Sequence, residues 1–260
     1  MSGAHFISGL HEEYVREVEN SKSAVVFIHG ILSTPRFFEK LTAVVPNEYS
    51  IYNIMLDGHG GGVKDFSDTS MKIWKHQVKT LINYLSKKYE NIIMVGHSMG
   101  TLFSIQNAVA RPDKIKGLFL LCSPLKVLVH PRSAKYSLRI VLEKPENNDP
   151  VEASARHWYS IGPERNLLKY IPWVPKFTSL LYEIRKTRKL APSITVPTYV
   201  FHAKYDSLVS GKAVSFFGKN DHIKVTHLHN SYHQYFTDED YDVILKSFAE
   251  LFKKETNSAN

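Results

Sequence analysis

The sequence predicts an α/β fold: a mainly parallel sheet flanked by helices. Three observations carry that prediction. First, apolar runs of strand length, such as Ala24-Val25-Val26-Phe27-Ile28 and Ile92-Ile93-Met94-Val95, are continuous rather than alternating, as in strands buried on both faces. Second, helical stripes separate these runs. The clearest covers residues 71–89, where Met71, Trp74, Val78, Leu81, Ile82, Leu85 and Tyr89 line one face. Third, Gly96-His97-Ser98-Met99-Gly100 follows one strand and at once opens a helix whose Leu102, Ile105 and Val109 recur at three and four. A serine on so sharp a strand-to-helix turn needs small neighbours, and the G-x-S-x-G pattern supplies them.

The elements follow in order. Residues 1–23 are polar and weakly patterned, with room for a short edge strand or hairpin. The strand at 24–28 ends in His29-Gly30-Ile31-Leu32-Ser33-Thr34-Pro35. There Ser33 or Thr34 caps a helix, Pro35 suits its first turn, and the helix is expected to run to about Val45. A strand at 49–56 leads into the loop Asp57-Gly58-His59-Gly60-Gly61-Gly62, and the helix at 71–89 follows. After the strand and helix around Ser98, Pro112 stops the helix and residues 115–122 form another strand. Four strands thus alternate with three helices before residue 123, the pattern of right-handed parallel crossovers.

Residues 124–192 break the alternation. They are rich in proline and aromatics, and residues 136–142 and 177–184 read as short helices. We expect a lid or cap inserted at 124–192 within a single domain spanning 1–260. Alternation then resumes with a strand at 196–202, a short helix at 209–217, a strand at 222–228 and a final helix at 238–255. That helix is acidic in its first turn and basic in its last, matching its dipole. The tail from Thr256 is expected to be disordered.

Composition narrows the function classes. Apolar content of 43% and charged content of 22% are those of an ordinary globular protein. Cys122 is the one cysteine, so no internal disulfide can form; this fits a reducing compartment, and a cytoplasmic location is expected. The N-terminus lacks the basic and apolar regions of a signal peptide. No apolar run approaches the roughly 18–20 residues of a membrane span. The net charge of +8 comes with no nucleic-acid motif. Part of the charge is local, with 13 Lys/Arg against 6 Asp/Glu in residues 125–190. That excess is a solvated face or a means of transient contact with an anionic surface.

A serine hydroxyl is a weak nucleophile until a base takes its proton and an acid orients the base. On this type of sheet the chain order is Ser, then Asp or Glu, then His, each at a strand end. Ser98 is the nucleophile. Asp206 follows the strand at 196–202 and is the acid, although an aspartate here also suits the cap of the next turn. His227, His229 and His233 are candidates for the base: His227 lies within a strand pattern, and His233, deeper in the loop, is preferred. His29 and His59 read as loop braces, and His97 leaves the turn in another direction. The oxyanion hole is expected from the backbone N–H groups of Met99, after the nucleophile, and Ile31, after His29-Gly30. No H-E-x-x-H or paired C-x-x-C pattern occurs, so no metal is expected.

These residues resemble the α/β-hydrolase superfamily, and within it the bacterial carboxylesterases and monoacylglycerol lipases. The similar segments are His-Gly-Ile-Leu-Ser-Thr-Pro at 29–35, Asp-Gly-His-Gly at 57–60, Gly-His-Ser-Met-Gly at 96–100, Ala-Lys-Tyr-Asp-Ser-Leu-Val at 203–209 and Asn-Ser-Tyr-His-Gln-Tyr-Phe at 230–236. The chain departs from the family at Ile31, often Phe, at Ser33, often Gly, and at Asp57, usually Pro. The resemblance implies an α/β-hydrolase fold, His233 as the base, and neither organic cofactor nor metal. The expected function is hydrolysis of carboxylic esters, of short or medium acyl length or monoacylglycerols, with Trp158, Tyr159, Trp173, Phe177 and Tyr182 lining an acyl pocket or packing the lid. Thioester hydrolysis and acyl transfer use the same triad. A peptidase would need an acidic pocket for a free amine, and a binding protein would show a broken triad.

Overall fold

Because the apolar runs have no polar face, the central strands must be covered on both sides, and the architecture follows from that. The computed structural model describes residues 11–144 and 148–258; residues 1–10, part of the expected N-terminal edge segment, lie outside the described residues. Seven strands are present there: β1 (Tyr14–Arg16), β2 (Ser23–Ile28), β3 (Ser50–Ile54), β4 (Asn91–His97), β5 (Ile115–Leu121), β6 (Thr198–Ala203) and β7 (Ile223–Leu228). They form one sheet in the order β1-β3-β2-β4-β5-β6-β7, parallel throughout except for β1, which runs antiparallel on the edge beside β3.

Alternation along each strand divides the core into two layers. Ala24, Val26, Ile28 and Met94 pack against α3 (Met71–Lys88) and α4 (Met99–Ala110), with Trp74, Val78 and Leu102 between them. Val25, Phe27, Ile93 and Val95 face the other way, onto Phe38 and Leu41 of the segment after β2 and Ile244 and Phe248 of α8 (Asp238–Ser258). A side chain such as Phe27 contributes on the order of 1.5–3 kcal/mol by leaving water.

The strand order also fixes where a site can form. From β2 the chain steps outward to β3, then crosses back to β4 on the opposite side of β2. Ile28 of β2 is in register with Gly96 of β4. The loops leaving these two strands diverge, and a crevice opens at their carboxyl ends.

The local differences from expectation have physical causes. The first helix is only a 3-10 turn (Pro35–Phe38) and one α turn, α1 (Glu39–Thr42), with Pro46 following closely. A short helix, α2 (Val63–Asp68), follows the glycine run unforeseen. Gly62 sits at its N-cap, and the Asp65 carboxylate accepts the Gly62 N–H at 2.7 Å, so a side chain in the first turn supplies the cap that the glycine cannot. The segment at 209–217 is a 3-10 helix over Gly211–Phe217. The last helix runs through Ser258, so its final turn carries no basic residue; residues 259–260 lie outside the described residues.

Between β5 and β6 stand α5 (Pro131–Val141), α6 (Pro150–His157), a 3-10 helix (Leu167–Trp173) and α7 (Val174–Leu190). The expected helices at 136–142 and 177–184 fall in α5 and α7. No helix among the described residues is long and apolar enough to cross a membrane.

Candidate active site

Ser98 stands where β4 becomes α4, with φ 49° and ψ −120°. A non-glycine residue in that region costs on the order of 1–3 kcal/mol and persists only when its surroundings enforce it. Here the Ser98 N–H donates to Leu121 O at 2.9 Å, and its carbonyl accepts from the Thr101 N–H at 3.0 Å and the Thr101 hydroxyl at 2.7 Å. The flanking glycines are steric requirements. A Cβ on Gly100 would stand 1.9 Å from Ile28 O, and one on Gly96 2.7 Å from Thr101 N. A Cβ on Gly30 would meet that of Ser98 at 3.0 Å, so the chain leaving β2 runs beside the serine. Ile31 is the next residue. Met99 is the first residue of α4, and its N–H has no intrahelical partner.

Two histidines brace this loop. The buried Nε2 of His29 accepts the Leu56 N–H at 3.0 Å, which leaves the proton on Nδ1 to donate to Gly30 O at 2.8 Å. His59 repeats the arrangement: Nε2 accepts the Leu32 N–H at 3.1 Å, and Nδ1 donates to Leu56 O at 3.2 Å. Leu32 itself has φ 60°. Burial, reinforced by His59, pushes His29 well below the usual histidine range, and burial pulls His59 down to about 4. Both rings are therefore neutral braces, the role expected of them.

The acid and base candidates meet on the next strand ends. Asp206 follows β6 and His233 lies in the loop between β7 and α8. Nδ1 of His233 is 2.7 Å from Asp206 Oδ2, and both residues are buried. The other carboxylate oxygen, Oδ1, accepts the N–H groups of Leu208 and Val209, each at 2.8 Å. Asp206 thus caps its own turn with one oxygen and holds the histidine with the other. Burial works to raise its pKa, but His233 and the three hydrogen bonds outweigh it, so the carboxyl lies below its ordinary value. Of the other candidates, His227 is exposed on β7, and His229 is exposed with its backbone N–H bound to Asp240.

Several supporting residues carried no sequence signal. The buried Asp240 of α8 accepts the His229 N–H at 3.2 Å, the Asn230 N–H at 2.8 Å and the Ser231 hydroxyl at 2.7 Å, fixing the loop that bears His233. In the sequence it is one of three acidic residues opening α8. Nε2 of His97 donates to the His233 carbonyl at 2.9 Å while its ring stacks on Phe37 at 4.0 Å. Burial, then the nearby His233, lower His97 to about 3. Cys122, at the end of β5 with φ 52°, is buried beside the same pair. Ligand atoms of His97, Cys122 and His233 lie within 4.8 Å of one another, a cluster invisible in the sequence. Burial and the Asp206 carboxylate push the Cys122 thiol well up, so it is protonated.

The expected pocket aromatics separate. Trp173 is buried against Phe66 and Tyr170, with ring centroids 4.5 and 4.7 Å away, and Trp158 lies edge-on to Phe37 at 5.5 Å. Tyr159 is partly buried against the core. Phe177 and Tyr182 sit on the outer face of α7, exposed.

A parallel sheet with a serine on a strained turn at one strand end and a His–Asp pair at two later ones defines an α/β-hydrolase. Residues 19–240 match the family described as "Serine aminopeptidase, S33", and the chain belongs to that family of α/β-hydrolases. It is 28% identical over 118 residues to the uncharacterized hydrolase YugF of Bacillus subtilis (strain 168), covering 45% of this chain and 42% of that one, less than half of that relative's length. It is 25% identical over 246 residues to the thermostable monoacylglycerol lipase of Bacillus sp. (strain H-257), covering 91% of this chain and 92% of that one. The crystal structure of the Paleococcus ferrophilus monoacylglycerol lipase superposes with a TM-score of 0.62 at 18% identity, over 92% of this chain and 98% of the other.

Proposed function

We propose that the protein is a carboxylic ester hydrolase working through an acyl-enzyme intermediate. Ser98 attacks the ester carbonyl while Nε2 of His233 takes its proton. Asp206 keeps the His233 proton on Nδ1 and stabilises the imidazolium that forms. The N–H groups of Ile31 and Met99 receive the developing oxyanion, and each such donor is worth about 10²–10³ in rate. Protonated His233 then delivers its proton to the leaving alkoxide, and water, activated by the same histidine, releases the acid. The observation that carries this reading is the 2.7 Å His233–Asp206 contact at strand ends adjoining the strained Ser98 turn.

The substrates we assign are short- or medium-chain acyl esters or monoacylglycerols. Two relatives that match along nearly their whole length, one by sequence and one by fold, are monoacylglycerol lipases. We read residues 124–192 as a lid within one domain. Its first half rests on the loops bearing the acid and base: the Leu128 N–H reaches Leu208 O at 2.8 Å, the Ser133 hydroxyl reaches that of Ser207 at 2.6 Å, and the Ser154 hydroxyl reaches Gln234 O at 2.7 Å.

The family's name raises peptidase action as a second reading. An aminopeptidase needs a free carboxylate for the substrate amine. Among the described residues, the two buried carboxylates of the lid are engaged: Glu152 with Arg139 and Arg156, Glu183 with Lys75 and Gln106. Ester substrates make no such demand. The single buried thiol accords with a reducing, cytoplasmic setting.

Hydrolysis of p-nitrophenyl esters from acetate to palmitate, with Ser98→Ala beside the parent, tests the reading. We expect turnover by the parent with a short- to medium-chain optimum, and loss in the variant. No turnover of any ester, or full activity in Ser98→Ala, would overturn it, and activity on acyl thioesters alone would move the assignment to thioesterase.

A further inference from the structure

Helix α7 and the 3-10 turn before it carry apolar side chains on the side facing solvent as well as on the side facing the body. The side facing the body carries Lys176, Glu183, Ile184 and Thr187, all buried. Their polar atoms are paired: Lys176 Nζ with Ser67 O at 2.8 Å, Glu183 with Lys75 at 2.7 Å and Gln106 at 3.0 Å, Thr187 with Gln106 at 2.7 Å. The side facing solvent carries Leu168, Ile171, Val174, Phe177, Leu181 and Tyr182, with Leu168 72% and Tyr182 68% exposed. From Val174 the spacing is i, i+3, i+7 and i+8, which is one helical face. A continuous apolar stripe left in water, over a helix already docked by polar contacts, marks an interaction surface.

The charge around the stripe selects the partner. Glu183 is the only carboxylate in residues 165–190, and it is turned inward. Arg185, Lys186 and Lys189 are exposed beside the apolar face, while Arg165 and Lys169, also exposed, are paired with Glu143 and Glu164. A helix with apolar side chains outward, basic residues at its margins and no exposed acid is suited to lie in the interface of an anionic bilayer. We propose that the face formed by Leu167–Trp173 and α7 docks on anionic lipid membranes. The stripe begins a few residues after Ser160, whose N–H donates to Leu32 O at 3.0 Å and whose carbonyl accepts from the Gly60 N–H at 3.0 Å. The docking segment is therefore tied directly to the loop bordering Ser98, where a lipid ester would be delivered. The proposal deepens the lipid-ester reading by locating where substrate is met, but binding itself needs no triad.

Co-flotation of the full chain with vesicles tests it, using pure phosphatidylcholine and an equal mixture of phosphatidylcholine and phosphatidylglycerol. We expect the parent to float with the mixed vesicles, less with the neutral ones, and progressively less as salt rises. Leu168→Asp/Ile171→Asp/Leu181→Asp should lower the bound-to-free ratio roughly tenfold or more, and Lys186→Glu/Lys189→Glu should remove the preference for anionic lipid. Both variants should hydrolyse a soluble short-chain p-nitrophenyl ester at the parent rate, a control for folding. Ser98→Ala should float like the parent while hydrolysing nothing, so failure of the docking face and failure of the hydrolase reading give different results. Absence of parental binding, or unchanged binding in the triple aspartate variant, would overturn the proposal. So would a dimer in sedimentation velocity that the aspartates dissociate, since a second copy would then cover the face.

Discussion

At Ser98 the backbone holds strain, as the proposed nucleophile turn requires. With φ 49° the residue sits where glycine would be at ease. Ser98→Gly should therefore be inactive toward esters yet no less stable than the parent, because strain relief of about 1–3 kcal/mol offsets the added freedom of glycine in the unfolded chain. Urea denaturation checks this, and a large drop in midpoint would mean the turn is not strained. Gly100→Ala is the opposite case. Its Cβ would fall 1.9 Å from the Ile28 carbonyl, backbone against backbone, so little or no folded protein is expected on purification. Asp206→Asn should leave the Leu208 and Val209 N–H groups satisfied through the remaining oxygen, but it presents an amide to His233 Nδ1 and favours the wrong tautomer. A kcat loss of about 10⁴ with a near-native melting curve is the expected pattern. Ser98, Asp206 and His233 were legible because each follows a strand in a fixed order. Asp240 was not: an aspartate in a helix's first turn already has a reason to be there, and only the folded loop shows that its oxygens serve His229, Asn230 and Ser231.

Among the elements, the continuous apolar strands were the most readable, since their pattern has one structural solution. The helices before and after the glycine loop were least so, because α1 and α2 are held by a proline, a cap and tertiary contacts rather than by periodicity. The helix expected at 177–184 falls in α7, whose buried side is mixed, with Ile184 beside Lys176, Glu183 and Thr187. The polar seat has an energetic consequence. Glu183→Ala strips Lys75 of its partner and Gln106 of one of its two, and a loss of about 1–3 kcal/mol in urea is expected with soluble-ester activity retained. The loop braces have a pH signature. His29, His59 and His97 are neutral in the fold, with pKa values depressed below the ordinary value of 6.5. The unfolded chain binds more protons than the native state between those folded values and 6.5, so stability rises with pH across that window. Stability should be full above about pH 6.5 and fall as pH drops toward 4, where His59 protonates in the fold. The urea midpoint measured across this range should decline steeply, and a flat profile would mean these rings are not held neutral.

For the molecule as a whole, the sheet order brings together residues far apart in the chain: the loop at 29–35, the turn at 96–100, Asp206 and His233 all issue from the carboxyl edge of one parallel sheet. That convergence was readable from strand alternation. The placement of residues 124–192 was not, because nothing in their periodicity told which helix rests on the acid and base loops and which on α3 and α4. In the proposed function these parts act as one nucleophilic site. Treatment with a fluorophosphonate, followed by intact mass and peptide mapping, tests it most directly. A single phosphonyl adduct on the peptide bearing Ser98, absent in Ser98→Ala and formed far more slowly in His233→Ala, is the predicted result. An unmodified parent, or an adduct on another residue, would contradict it.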